Sequence, residues 1–333
     1  MKKLMLAFLA LLVVIAVAVP KIALDVKFRG FQAPLDLEIA KGEGTRAIAT
    51  QLARAGVIQS PYYLLIARAL HPNAKLQAGS YRFEKPATPR EIFDRLMRGD
   101  VVHYEVTIPE GSNIFDIAAI TGKMIPFLNS AKMLTIFKNP SPIRDLDPKA
   151  PTMEGYLFPS TYRLTRHTTE DQLAHMMTAE FRKVWKQAAP AGANVHDVVT
   201  LASMVEKESA AKDERPVVAA VYANRLLQNM RLDCDPTTIY AAMLDGRYRG
   251  KIYRSDLDSD NPYNTYKHMG MPPGPIANPG AGSIAAALKP AMDSKFLFFV
   301  AKPDGSGRHN FAIDLAGHNR NVVEYRRGVA QGK

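Results

Sequence analysis

The sequence predicts an α+β protein in three parts: an N-terminal transmembrane helix, a small α+β module and a larger mixed α+β domain. Three observations predict it. An uninterrupted apolar stretch runs from Leu4 to Val19 behind Lys2 and Lys3. A strand, glycine turn and helix start occurs twice: Leu37, Ile39, Gly42, Ile48 and Ala49 are matched without a gap by Val106, Ile108, Gly111, Ile117 and Ala118, 69 positions on. Further along, helical periodicities give way between Asp233 and Gly282 to a stretch rich in Pro, Gly, Asn, Asp and Tyr. The boundaries fall at 1–24, 35–103 and 104–333, the opening 104–125 repeating the pattern of the module before it.

The apolar run is 16 residues long, short of the ~20 that span a bilayer comfortably. Ile22, Ala23 and Leu24 extend it, with Lys21 snorkelling to the interface. Positive charge ahead of the run leaves the N-terminus in the cytoplasm and sends the rest across. A cleavable signal peptide is the rival, because Ala16, Val17 and Ala18 make a small-x-small site. Both readings export the body. The single cysteine, Cys234, excludes an internal disulfide scaffold. A formal charge of +11 and a pI near 9.6 favour a polyanionic partner, such as an acidic membrane surface or an anionic polymer. No run of Lys and Arg interleaved with aromatics marks a nucleic-acid face, so no nucleic-acid partner is expected.

In the module, the alternation at Leu37 and Ile39 predicts a strand, and a helix starts after Gly42 near Thr45. Pro61 to Leu70 reads as a helix, and Ala78 to Phe83 as a strand. Pro89 to Met97 reads as a second helix, with Thr88 as N-cap and proline at the first helical position. In the larger domain, Asn139 to Pro151 reads as a loop. Ala174 to Ala188 is an amphipathic helix stopped by Pro190 and Gly192. Asp197 is expected to cap a helix carrying Val198, Leu201, Ala202 and Val205, and Pro216 to open another that runs to Met230. The irregular stretch after it is too long for an idle loop and is expected to build a site. Phe296 to Ala301 and a segment ending at Phe311 pair as strands across a Pro303–Gly307 turn, and a helix closes the chain.

No phosphate loop, dinucleotide fingerprint or metalloprotease motif is present, the histidines are scattered, and no His or second Cys lies at ligand spacing from Cys234. What remains is carboxylate chemistry. Glu206, Lys207 and Glu208 are expected in mid-helix, and Leu201, Met204 and Val205 stand seven, four and three residues before Glu208. A carboxyl bordering that apolar stripe is partly desolvated, which raises its pKa and suits it to general-acid work. Periodicity does not separate Glu206 from Glu208, and pattern alone favours a solvated face pairing either one with Lys207, Lys212 or Arg215.

Motifs in order narrow the choice: Glu154-Gly155-Tyr156-Leu157-Phe158-Pro159 with Thr161 and Tyr162; Leu201 through Glu208; Met230 through Pro236 with Thr237 and Tyr240; Tyr263-Asn264-Thr265-Tyr266; Gly270 through Gly274; Ile276 through Gly280; and Phe311 with His318 and Asn319. Over nearly the whole chain this resembles the endolytic murein transglycosylase family, the YceG-like lytic transglycosylases. The resemblance implies a single-pass inner-membrane protein with its N-terminus in the cytoplasm, a LysM-like module at 35–103, and a periplasmic catalytic domain that cuts nascent peptidoglycan strands without metal or organic cofactor. It implies Glu208 as the catalytic residue. Glu154, Tyr156, Asp235, Thr237, Tyr240, Tyr263, Asn264 and Tyr266 are the expected substrate-binding wall, and peptidoglycan strands, the inner membrane and peptidoglycan synthases the expected partners. Ser209 after Glu208 matches the Glu-Ser pair of other lytic transglycosylases, where many relatives carry Thr. Cys234 departs from the pattern at a position where a polar residue such as Gln is expected, which puts a substrate role there in doubt. Two rivals stay open: a non-catalytic wall-binding scaffold, and a hydrolase using Asp233 or Asp235 as a second carboxylate.

Overall fold

The computed structural model describes residues 22–331. The expected membrane segment at 1–24 therefore lies almost wholly outside the described residues. Among those described, no helix is long and apolar enough to cross a membrane. The chain divides into two compact units, one comprising residues up to Tyr104 together with Arg163–Thr168, the other Glu105–Tyr162 and Thr169 onward.

The first unit runs β1 (Leu35–Ile39), α1 (Thr45–Arg54), α2 (Pro61–Leu70), β2 (Gly79–Phe83) and α3 (Pro89–Arg98). β1 and β2 pair antiparallel, from Leu35 opposite Phe83 to Ile39 opposite Gly79. Ile39, Tyr81 and Phe83 on the sheet, with Ile48, Leu52, Leu64, Phe93 and Leu96 on the helices, make its apolar core. α3 begins as its sequence requires. Thr88 accepts from the Glu91 amide, Glu91 accepts from the Thr88 amide, and Pro89 stands at the start where no amide donor is needed.

After β3 (Tyr104–Thr107), within which the second unit begins, come α4 (Ile114–Met124) and α5 (Ser130–Phe137), and the chain returns through β4 (Thr161–Leu164), which pairs with β3. Then come α6 (Glu170–Ala188), α7 (Val195–Glu208), α8 (Arg215–Leu227), α9 (Asp235–Leu244), the short α10 (Arg254–Leu257) and α11 (Ala281–Leu288). β5 (Phe298–Ala301), β6 (His309–Ala312) and α12 (Leu315–Ala330) close the chain, with β5 and β6 antiparallel and Phe299 opposite Phe311. The two stretches of the repeated pattern share an element order. Both copies are strand, glycine and helix, and Gly42 and Gly111 both take positive φ, 84° and 75°.

Several boundaries differ from expectation. α7 is capped by Asn194, which accepts from the Asp197 amide, so Asp197 lies in the first turn, where a negative charge suits the helix dipole. The irregular stretch contains α9, whose first turn carries Asp235 and proline and whose apolar content is too even to show a helical period. α7 also stops at Glu208 and does not continue past it. Ser209 leaves helical conformation, a short 3-10 turn follows at Lys212–Glu214, and the next helix begins at Arg215 with Pro216 in its first turn, where no amide donor is needed.

Candidate active site

Glu208 is thus the last residue of a helix and not a mid-helix one. Ser209 caps it in extended conformation (φ −110°, ψ 105°), its hydroxyl donating to the Ala211 carbonyl at 2.8 Å. Val199, Ala202, Met204 and Val205 are fully buried and fix α7 rigidly in the core. Glu206 and Glu208 part company at this helix end. The Glu206 side chain is 5% exposed, takes a 2.8 Å ion pair from Arg215 and accepts from the Gly280 amide at 3.0 Å. Glu208 instead opens on a cavity of about 480 Å³.

Tyr222, on α8, donates to Glu208 Oε1 at 3.2 Å, and the Cys234 thiol lies 3.4 Å from the same oxygen. Burial pushes the Glu208 pKa up from its ordinary value. The charge of Asp235 adds to that rise, while Cys234, Tyr222 and His309 oppose it. The carboxyl-terminal end of a helix carries partial negative charge, which favours the neutral acid further. Burial and the neighbouring Glu208 carboxylate push the Cys234 thiol well above its usual range, so it stays a neutral donor. Cys234 therefore touches the carboxylate directly, from a position the sequence marked as doubtful.

Of the eight residues expected to line the substrate cleft, the cavity brings two to Glu208: Asp235 and Tyr266. The Tyr266 hydroxyl donates to Asp235 at 2.6 Å. The other six do not line this cavity. Glu154 is 1% exposed and accepts from the Ile114 amide (2.9 Å) and the Asn278 amide group (2.7 Å); burial pushes its pKa up to about 8. Tyr156 donates to Asp147 inside the core, and the same carboxylate meets His196 at 2.7 Å. Thr237 bonds the Cys234 carbonyl (2.7 Å) and the Thr265 hydroxyl (2.8 Å). Asn264 ties down the carbonyls of Leu257 and Ser259, shaping the loop before the Tyr266 turn. Tyr240 and Tyr263 meet edge to face at 5.1 Å, both buried. Within this Pro- and Gly-rich region, Thr237 and Asn264 thus satisfy buried backbone carbonyls.

Other wall residues come from the C-terminal elements. Phe298 and Phe299 of β5, His309 of β6, His318 of α12 and Arg225 of α8 line the same cavity. The Arg225 guanidinium lies 5.0 Å over the Phe298 ring, and Phe298 stacks on His318 at 5.1 Å. Asp233, with φ at +46°, also faces the cavity and pairs with Arg225 at 3.3 Å. The strand pattern around Phe296–Phe311 was the signal that could have found these aromatics, since strands present alternate side chains to one face.

The YceG-like family model matches residues 37–324. The chain is 32% identical to an endolytic murein transglycosylase of Bacillus subtilis over 315 residues, covering 87% of this chain and 84% of that protein. It is 27% identical to an endolytic murein transglycosylase of Streptococcus pneumoniae over 325 residues, spanning 86% of this chain and 57% of that longer protein. A crystal structure of a yceG-like protein from Listeria monocytogenes superposes with a TM-score of 0.56 at 30% identity, over 87% of this chain and 99% of the other. With the match running through both units, this chain belongs to the YceG-like family.

Proposed function

We propose that the chain is an endolytic peptidoglycan lytic transglycosylase that cleaves the β-1,4 bond between N-acetylmuramic acid and N-acetylglucosamine with Glu208 as acid and then base. The observation that carries this reading is Glu208 itself: a desolvated carboxyl at a rigid helix end, opening on a cavity walled by aromatic rings. Burial favours the protonated form of such a group, which can give its proton up to a bound oxygen. Glu208 protonates the glycosidic oxygen, and the C1–O bond breaks with its electron pair leaving on that oxygen. The resulting carboxylate takes the proton of the muramic C6 hydroxyl, whose oxygen closes on C1. The product is a 1,6-anhydro end, Glu208 recovers its proton, no water is consumed, and the enzyme is a lyase. Phe298, Phe299 and Tyr266 offer apolar ring surface to sugar faces. Cutting nascent strands in this way would end their elongation.

Three further parts of the reading rest on sequence. They are a single-pass anchor at 1–24 that holds the body at the periplasmic face of the inner membrane, a LysM-like role in wall binding for 35–103, and association with peptidoglycan synthases. A net charge of +11 suits both anionic lipid and anionic wall polymer. A hydrolase is the second reading, favoured by Asp233 and Asp235 sharing the cavity with Glu208. Mass spectrometry of fragments released from purified peptidoglycan by the full chain and by Glu208→Gln decides. Anhydro-muramic ends from the parent alone support the transglycosylase, reducing ends mean a hydrolase, and no cleavage by either folded protein returns the scaffold.

A further inference from the structure

The intermediate state of the proposed reaction poses a physical problem. Once Glu208 has given up its proton, a carboxylate stands in a desolvated cavity beside Asp233 and Asp235, with Tyr222 and Cys234 offering only neutral donors. A buried anion without a cation nearby is costly. Among the described residues, three on the cavity wall can carry positive charge: Arg225, His309 and His318. Two are otherwise engaged. Arg225 donates to the carbonyls of Leu297, Arg231 and Leu232 and pairs with Asp233. Burial, reinforced by Arg225, pushes the His318 pKa below the ordinary histidine value, and its ring is stacked on Phe298.

His309 is placed differently. Its ring and backbone are both clamped by Glu214: Nδ1 lies 2.9 Å from Glu214 Oε2, and the His309 amide donates to the same oxygen at 3.1 Å. Glu214 is itself buried, its side chain 10% exposed, with Arg308 3.5 Å behind it and Asp213 beside Arg308. Phe299 packs edge-on against the imidazole at 5.2 Å and limits its rotation. With Nδ1 taken, Nε2 is the nitrogen left for the cavity that His309 shares with Glu208, and it has no protein partner among the described residues. A carboxylate behind one ring nitrogen fixes the tautomer and aims the other N–H.

We propose that His309, clamped by Glu214, is the positive partner that shelters the Glu208 carboxylate between its giving a proton to the glycosidic oxygen and its recovering one from the C6 hydroxyl. This rests on the transglycosylase reading. His309 exchanges no proton with the substrate and acts through Glu208, as a positioning residue. Its charge favours the carboxylate that the second half of the reaction needs, in the same sense as its opposition to the rise of the Glu208 pKa.

The test compares the full chain with His309→Gln and Glu214→Gln in two measurements. In strand cleavage followed against pH, His309→Gln lowers kcat roughly 10- to 100-fold, as losing one preorganised charge-stabilising group does, with little change in KM. The alkaline limb moves to higher pH because Glu208 then holds its proton longer. Glu214→Gln moves that limb the same way by less. A uniform loss at every pH, with the limb unmoved, makes His309 merely structural and overturns the proposal. The second measurement needs no turnover: the Glu208 carboxyl, labelled with carbon-13 and assigned by Glu208→Gln, is titrated in the parent. It shows a second inflection at the pH where the His309 ring resonance titrates, and absence of that inflection overturns the coupling even if the variants fold poorly. A parent with the inflection but without anhydro products overturns the transglycosylase reading and leaves the ion pair standing.

Discussion

The Tyr222 hydroxyl reaches Glu208 Oε1 over 3.2 Å, and both residues stand on helices, α8 and α7, rather than on loops. The carboxylate is thereby aimed by two rigid elements, and Tyr222, beside the Cys234 thiol, is one of two neutral donors to it.

Removing that donor has a signed consequence. Tyr222 favours the charged form of Glu208, so Tyr222→Phe raises the pKa of that carboxyl further. A lost hydrogen bond to a charged group is worth about 1.5–3 kcal/mol, so kcat should fall roughly tenfold or more. The pH–rate profile of the variant should keep its shape and move its alkaline limb upward.

Glu206 and Glu208 should fail in opposite ways. Glu206→Ala leaves the 7%-exposed Arg215 with only its longer, 3.8 Å pair to the half-exposed Glu110 and should cost about 3 kcal/mol of stability. Glu208→Gln should abolish cleavage yet stabilise the fold, by on the order of 1 kcal/mol. For a carboxyl whose folded pKa is raised, stability is fully present below the unfolded value and lost as pH rises through the folded one. The Glu208→Gln advantage in urea unfolding should therefore widen as pH rises above the ordinary carboxyl value of 4.5.

Glu154 should leave its own mark on stability. Its pKa is pushed from 4.5 to about 8 by burial, so its contribution is full below about 4.5, declines as pH rises and is gone beyond about 8. Glu154→Gln should remove that slope from the unfolding free energy. It should also cost about 1–3 kcal/mol at pH 5, because an amide nitrogen would face the donors of Asn278 or Ile114.

Gly155 follows Glu154 in a backbone conformation with φ at +89°, and a Cβ there would come within 2.5 Å of Pro275 and 2.8 Å of Val199. Gly155→Ala should destabilise by about 3 kcal/mol or more, strain and overpacking adding. Thermal unfolding would read this as a lowered Tm, with the remaining folded fraction still active.

The first unit was legible nearly residue by residue, because its strands alternate, Thr88 and Pro89 punctuate α3, and its helices are short and amphipathic. The repeat was legible for the same reason, its glycines marking a turn that only positive φ can make. α9 and α11 were not, since Thr, Ala and Ile fill them with no polar face to set a period. In the site, periodicity could not choose between Glu206 and Glu208, because the choice is made by where the helix ends and by Arg215 claiming one of them. Glu154, Tyr156 and Asn264 read as ligand contacts, and each makes hydrogen bonds to buried backbone or core partners that the sequence did not announce. A sequence shows that a polar group needs a partner, but not whether that partner is protein or substrate. His309 and Glu214 stand 95 residues apart and meet only through the return of β6.

Asn278 has a consequence for the order in which the molecule comes into being. Its side chain and backbone grip Ser112 across 166 residues of chain, Glu154 across 124 and Leu157 across 121. None of these bonds exists until the nascent polypeptide has grown past Asn278, and the strands carrying Phe299 and His309 emerge later still. Contacts of such long sequence separation form slowly and late. Glu208 is therefore made early but stands without its opposite wall until the last segment of the chain arrives, so a partly synthesised or truncated molecule carries the acid and no cavity in which to use it.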